Sequence, residues 1–287
     1  MARLEETRPT GNSRARGLVS DRASGARVEA HAYAPPAGLA DVVEALWVGR
    51  WDLPPEEPHT TRLLGDPCIH LVWEWGDGVG PSERVVGVWT RLWTRRLDGR
   101  GTVRGVKLRA GAAAALFDDA SALTNRIVPL AQVVRGAPGI AELDPRAEAD
   151  EASFVRLLEW LSEVRRHLPD TAAAVAAVEV ARARRGITQV HQLARAVGLS
   201  ERSLQRLFRV HVGATPKQVL RRLRLQEAAL RLERGDAVSL TDLAFELGYA
   251  DQAHFSRDWR AAVQTTPSGF ARPPLSRPPP CTPGASE

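Results

Sequence analysis

Leu193-Ala194-Arg195-Ala196-Val197-Gly198-Leu199-Ser200 and Leu243-Ala244-Phe245-Glu246-Leu247-Gly248-Tyr249-Ala250 repeat one pattern fifty residues apart. Each begins as a short amphipathic helix and is stopped by glycine, the residue that best tolerates the backbone turn at a helix end. A second helix follows each. Leu204, Leu207 and Phe208 form its buried stripe in the first copy, Phe255 and Trp259 in the second, where the turn is one residue longer. Thr215-Pro216 and Thr266-Pro267 then close the copies at an offset of 51. The hydroxyl caps a new helix, and proline suits its first position.

Helix, glycine turn and helix make the helix-turn-helix pattern, whose second helix lies in the major groove of DNA. Two copies predict two recognition helices. With the apolar stripes buried, Arg202, Gln205, Arg206 and Arg209 fall at i, i+3, i+4 and i+7 on one face of the first. Gln252, Ala253, Ser256, Arg257 and Arg260 occupy the comparable surface of the second. Arginine pairs bidentately with guanine, glutamine with adenine, and small residues admit a thymine methyl, so these are the expected DNA-contacting side chains. The joining helix, Pro216 to Glu233, spans roughly 27 Å at 1.5 Å per residue. That suits recognition helices set about one DNA turn, roughly 34 Å, apart. Its Lys217 and Arg221, with Arg222 and Arg224, are expected at phosphates, whereas Leu220, Leu223, Leu230 and Leu232 read as core. Glu201 and Asp251 read as charges at helix N-termini, and His254 as packing beside the apolar stripe.

Charge is concentrated in the same segment. Between residues 173 and 274 there are 16 Lys+Arg against 9 Asp+Glu, a net of +7, while the remainder carries −2 of the overall +5. A localised positive field is what a phosphate-binding surface needs.

The run Leu243 to Arg260, read through Asp251-Gln252-Ala253-His254-Phe255-Ser256-Arg257-Asp258-Trp259 and ending in Thr266-Pro267-Ser268-Gly269-Phe270, resembles the signature of the AraC/XylS family of regulators. The resemblance covers about Thr171 to Phe270. It implies a seven-helix module that binds asymmetric DNA sites, regulation of transcription from promoter-proximal sites, and RNA polymerase as a partner. Two departures stand out: Trp259 where the family has phenylalanine, and Gln264 where it has glycine. Neither lies on the base-reading face.

Outward from this module, the expected fold class is α+β, with a small N-terminal sheet preceding an all-helical C-terminal part. Residues 1–30 read as a disordered polar tail, 31–135 as a sensor or association domain, and 136–170 as a linker and connector helix. Residues 171–272 are the DNA-binding domain and 273–287 a Pro-rich tail. Leu39, Val42, Val43, Leu46 and Trp47 recur at helical spacing, whereas Cys68 to Trp75 alternate as a strand. Arg84 to Trp93 and Thr102 to Arg109 are further strands, Gly111 to Phe117 and Ser121 to Ile127 short helices, and Thr171 to Arg185 an Ala-rich helix. The N-terminal half more loosely resembles sensor-like domains that accompany such modules in actinobacteria. It does so through Tyr33-Ala34-Pro35, Trp47, Trp51-Asp52-Leu53, His70-Leu71-Val72, Val86-Gly87-Val88 and Val106 to Gly111. A small-molecule effector, or a second copy forming a homodimer, would act there.

Other chemistry finds little support. Two cysteines, Cys68 and Cys281, cannot build a disulfide framework, and no run approaches the roughly 18 apolar residues of a membrane span. A cytoplasmic, unanchored protein is expected, with no cofactor, no metal and no enzymatic activity. Six of the eight tryptophans lie between Trp47 and Trp93 and read as aromatic core rather than as a ligand cage. His59, Asp66, Cys68 and His70 match no metal spacing, and the acidic pairs Asp118-Asp119 and Glu56-Glu57 lack a nucleophile or phosphate loop. Two rival readings are a methyl-transferring DNA-repair protein, for which Cys68 lacks the reactive setting, and a partner-sequestering protein whose DNA binding is secondary.

Overall fold

A computed structural model of the chain describes residues 6–7, 28–77, 79–143, 150–236 and 239–270. The C-terminal Pro-rich tail and Cys281 lie outside the described residues. So does most of the expected N-terminal tail, although strand β1, Glu6–Thr7, falls within it. The fold is α+β.

Strands β2 (Val28–Tyr33), β3 (Val43–Asp52), β5 (His70–Gly76), β6 (Val79–Val86), β8 (Arg100–Leu108) and β9 (Ile127–Pro129) join β1 in one antiparallel sheet, in the order β1-β2-β3-β8-β5-β6-β9. Strands β4 (His59–Leu63) and β7 (Trp93–Leu97) form a separate ribbon. The ribbon covers one face of the large sheet, where Trp51, Leu53, Val72, Leu97 and Val103 make a small core. On that face the rings of Trp51 and Trp47 lie against Gly101 and Gly105, where any Cβ would overlap the indole. Trp51 and Trp73 are buried and serve as core.

The expected helix at Leu39 to Trp47 is instead a short 3-10 turn, Ala37–Leu39, followed by β3. Both faces of β3 are covered, Leu46 and Val48 on one and Trp51 on the other, so the alternation that marks a half-buried strand is lost. The expected strand Arg84 to Trp93 likewise divides between β6 and β7. The short helices expected near 111–117 and 121–127 shrink to 3-10 turns, Ala113–Ala115 and Ala120–Leu123.

Helix α1 (Asp150–Val164) packs on the opposite sheet face, with Tyr33 and Phe154 ring centroids 5.5 Å apart and Trp73 and Trp160 6.3 Å apart. Its first turn is fixed by the buried Arg104, whose Nε donates to Asp150 Oδ1 at 2.9 Å and Nη1 to Ser153 Oγ at 2.7 Å. The helices α2 (Pro169–Ala183), α3 (Val190–Ala196), α4 (Glu201–His211), α5 (Pro216–Arg234), α6 (Leu240–Glu246), α7 (Gln252–Val263) and α8 (Pro267–Phe270) complete the chain.

Two apolar clusters divide these helices unequally. One runs without a break from Leu46, Leu71 and Trp73 of the sheet through Phe154 and Val178 to Leu193, Leu204, Phe208 and Leu220. The other holds Leu225, Leu232, Leu243, Phe255 and Trp259, and takes in Leu64 and Leu92 from the N-terminal half.

Candidate nucleic-acid interface

Both repeat copies fold as the pattern requires. Gly198 and Gly248 adopt φ of 69° and 75°, the left-handed conformation that ends α3 and α6. Ser200 caps α4 by accepting from Ser203 N at 3.1 Å, and Asp251 caps α7 by accepting from His254 N at 2.6 Å. Four residues separate α3 from α4 and five separate α6 from α7, so the extra residue lies in the second turn. Thr215 and Gln218 form a reciprocal capping box at the start of α5. His254 stacks edge-on against Tyr249, with centroids 5.2 Å apart.

With Leu204, Leu207 and Phe208 buried, α4 exposes Arg202, Gln205, Arg206 and Arg209; with Phe255 and Trp259 buried, α7 exposes Gln252, Ala253, Arg257 and Arg260 and half-buries Ser256. Lys217 is exposed on the first turn of α5. Arg202, Arg206, Arg257, Arg260 and Lys217 have no carboxylate partner among the described residues, whereas Gln252 accepts from Thr241 Oγ1 at 2.8 Å. Arg209 differs, its Nη1 lying 3.5 Å from Asp119 Oδ2 of the N-terminal half.

Arg221, Arg222 and Arg224 of α5 are committed inward. Arg221 Nε donates to Asp258 Oδ1 at 2.5 Å, and Tyr249 Oη donates to Asp258 Oδ2 at 2.7 Å. Burial and the bond to Asp258 push the Tyr249 phenol above its usual range. Arg222 is buried and donates to the carbonyls of Trp89 and Arg91 at 2.8 and 3.1 Å; burial lowers its pKa to about 10. Arg224 stacks over the Tyr249 ring at 4.6 Å. Of the expected phosphate contacts, Lys217 therefore stands free on the surface, while Arg221 holds α7 to α5. Asp258 lies inside the signature, yet nothing in its spacing marks it as the acceptor for a helix two elements away.

Behind these helices lies a buried polar cluster that ties them to the sheet. Gln226 Nε2 donates to Leu64 O at 2.9 Å and Asp66 Oδ1 at 3.3 Å, and Lys107 Nζ donates to Asp66 Oδ2 at 2.6 Å and Glu44 Oε1 at 2.9 Å. Burial alone would raise the Asp66 carboxyl, but Lys107 and Arg182 hold it below the usual carboxylate range. Burial depresses Lys107 less than the surrounding acidic groups, Asp66 and Glu44 among them, lift it. Beside them His70 is lowered to about 3, first by burial and then by Lys107. Burial pushes the Cys68 thiol up to about 12, which withholds the thiolate a nucleophile requires.

Comparison with known proteins assigns the two halves separately. Residues 193–273 match a helix-turn-helix domain family, and residues 31–129 match a domain of unknown function. The C-terminal third is an AraC-type helix-turn-helix domain. The HTH-type transcriptional activator RhaS of Pectobacterium atrosepticum is 32% identical to the chain over 156 residues, 52% of this chain and 55% of RhaS. The probable transcription factor PqrA of Proteus vulgaris is 35% identical over 82 residues, 29% of this chain and 66% of PqrA. The chain thus spans about half the length of RhaS. Among solved structures, a Chromobacterium violaceum transcriptional regulator with an AraC-type DNA-binding domain aligns at 28% identity and a TM-score of 0.31, covering 33% of this chain and 85% of that one. Among the described residues, no helix is long and apolar enough to cross a membrane.

Proposed function

We propose that the protein is a sequence-specific DNA-binding transcription regulator acting in the cytoplasm, with no enzymatic activity of its own. The observation that carries this reading is a contrast in pairing. Arg202 and Arg206 of α4 and Arg257 and Arg260 of α7 lack carboxylate partners among the described residues, whereas Arg221, Arg222 and Arg224 of α5 are bound to protein groups. An unpaired donor face on each second helix supports base reading by Arg202, Gln205 and Arg206 in one copy and Gln252, Ala253, Ser256, Arg257 and Arg260 in the other. Arg209 and Lys217 would take phosphates. RNA polymerase is the partner this module implies, and a small-molecule effector or a second copy would act through the N-terminal half. The repair rival is disfavoured by the inert setting of Cys68.

Selection of genomic DNA fragments by the purified protein, followed by titration of the best site at several salt concentrations, tests the proposal. A single enriched motif with two half-sites about one helical turn apart supports it. Salt-sensitive binding with no sequence preference overturns it.

A further inference from the structure

The meeting of α2, α5 and α6 encloses a cavity of about 530 Å³, within the size range of small-molecule sites. Its wall draws on Asp66 from the N-terminal half, Arg182 of α2, Leu230 of α5 and Leu247 just after α6. The lining is about evenly polar and apolar and carries five arginines against three carboxylates. Two of the arginines reach lining carboxylates at hydrogen-bond distance: Arg185 reaches Glu227 at 2.8 Å and Arg231 reaches Glu246 at 2.5 Å.

Arg182 and Arg224 are different. Arg182 Nη1 donates to Glu179 Oε1 at 2.8 Å, but its Nη2, ion-paired with Asp66 Oδ1 at 3.6 Å, is buried without a hydrogen-bond partner, and Arg224 Nε is buried without one while its guanidinium stacks on Tyr249. A buried donor left unmade costs the full desolvation of the group, so such atoms in native proteins normally face an acceptor. Here both belong to residues that line one cavity with a positive balance and an apolar floor.

We propose that this cavity is a binding site for a small amphipathic anion. Its charged head, a carboxylate, sulfonate or phosphate, takes Arg182 Nη2 and Arg224 Nε, and its apolar body rests on Leu220, Leu230 and Leu247. The walls come from α2, the joining helix α5, the end of α6 in the second helix-turn-helix unit and Asp66 of the sheet-bearing half, so an occupant bridges the second unit to the rest of the protein and can bias its placement for DNA binding. That consequence rests on the regulatory reading above; occupancy itself does not.

Calorimetric titration of the full chain, without DNA, with hexanesulfonate, hexanol and inorganic sulfate tests the site. Hexanesulfonate is expected to bind one per chain, at least tenfold tighter than hexanol or sulfate. Arg182→Gln and Arg224→Gln should each weaken it at least tenfold, and Leu230→Trp, which fills the cavity from α5 and leaves the polar pairs intact, should abolish it. Absence of binding to the wild-type chain, equal affinity for hexanol, or undiminished sulfonate binding by the Leu230→Trp protein overturns the proposal. Repeating the operator titration with and without hexanesulfonate separates the two readings: binding to the cavity with unchanged DNA affinity confirms the site and rejects its coupling to DNA.

Discussion

Asp258, on the second recognition helix, accepts from both Arg221 Nε of the joining helix at 2.5 Å and Tyr249 Oη at 2.7 Å. One carboxylate therefore sets how α7 sits on α5. Asp258→Ala leaves a part-buried guanidinium and a part-buried phenol without their acceptor, at about 1–3 kcal/mol in stability. Urea unfolding should show this loss, with affinity falling on every DNA sequence. The salt slope distinguishes bracing from contact in Arg221→Ala. A brace lowers affinity with the slope unchanged, whereas loss of a phosphate contact reduces the slope by about one.

Arg206 and Arg257 project from the two recognition helices with no carboxylate partner. Replacing either with alanine should cost about 1–3 kcal/mol of operator binding and relax preference at one base pair. Titration against a panel of single-base operator variants checks this. Unchanged affinity in both variants would show that another surface reads the bases.

Gln264 ends α7 with φ of 62°, left-handed backbone in which a side chain is strained. Glycine adopts this conformation without strain. Gln264→Gly should raise stability by about 0.5–1 kcal/mol, seen as a higher denaturant midpoint with an unchanged slope. A lower midpoint would mean the glutamine side chain makes a compensating contact.

The His70 ring bears on pH. Its pKa falls from 6.5 to about 3 in the folded protein, so between those values the unfolded chain binds the proton and the folded chain does not. Stability is therefore intact above about pH 6.5 and declines as pH falls toward 3, with a slope of up to about 1.4 kcal/mol per pH unit from this group. His211, also lowered first by burial, adds in the same direction. Unfolding midpoints of wild type and His70→Gln measured from pH 7 to pH 4 should converge at acid pH. Parallel curves would count against a buried neutral imidazole.

Legibility followed the number of covered faces. The repeat was readable because each helix buries one stripe, Leu204, Leu207 and Phe208 or Phe255 and Trp259, and leaves the other side to polar residues; glycine and Thr-Pro then mark the ends. β3 was unreadable because both its faces are covered. The ribbon strand β4, His59-Thr60-Thr61-Arg62-Leu63, is half-buried along its whole length and lacks contrast altogether. The outward arginines came from helical spacing alone. The inward ones, Arg221 and Arg222, did not, because their partners, Asp258 and the Trp89 and Arg91 carbonyls, are contacts between elements that no local period encodes.

Gly213 lies at the end of α4 so close to the Ala120 carbonyl that a Cβ would stand 2.8 Å from it, and Thr124 Oγ1 donates to the Gly213 carbonyl. Together with the unbroken apolar cluster beneath, this makes the first helix-turn-helix unit a lodger in the N-terminal half and the second a comparatively independent body. A fragment cut at the start of α2 carries off α2 and α4 without the surfaces that cover them, so grafting this reader onto a foreign receptor requires a replacement cover for one unit and far less for the other.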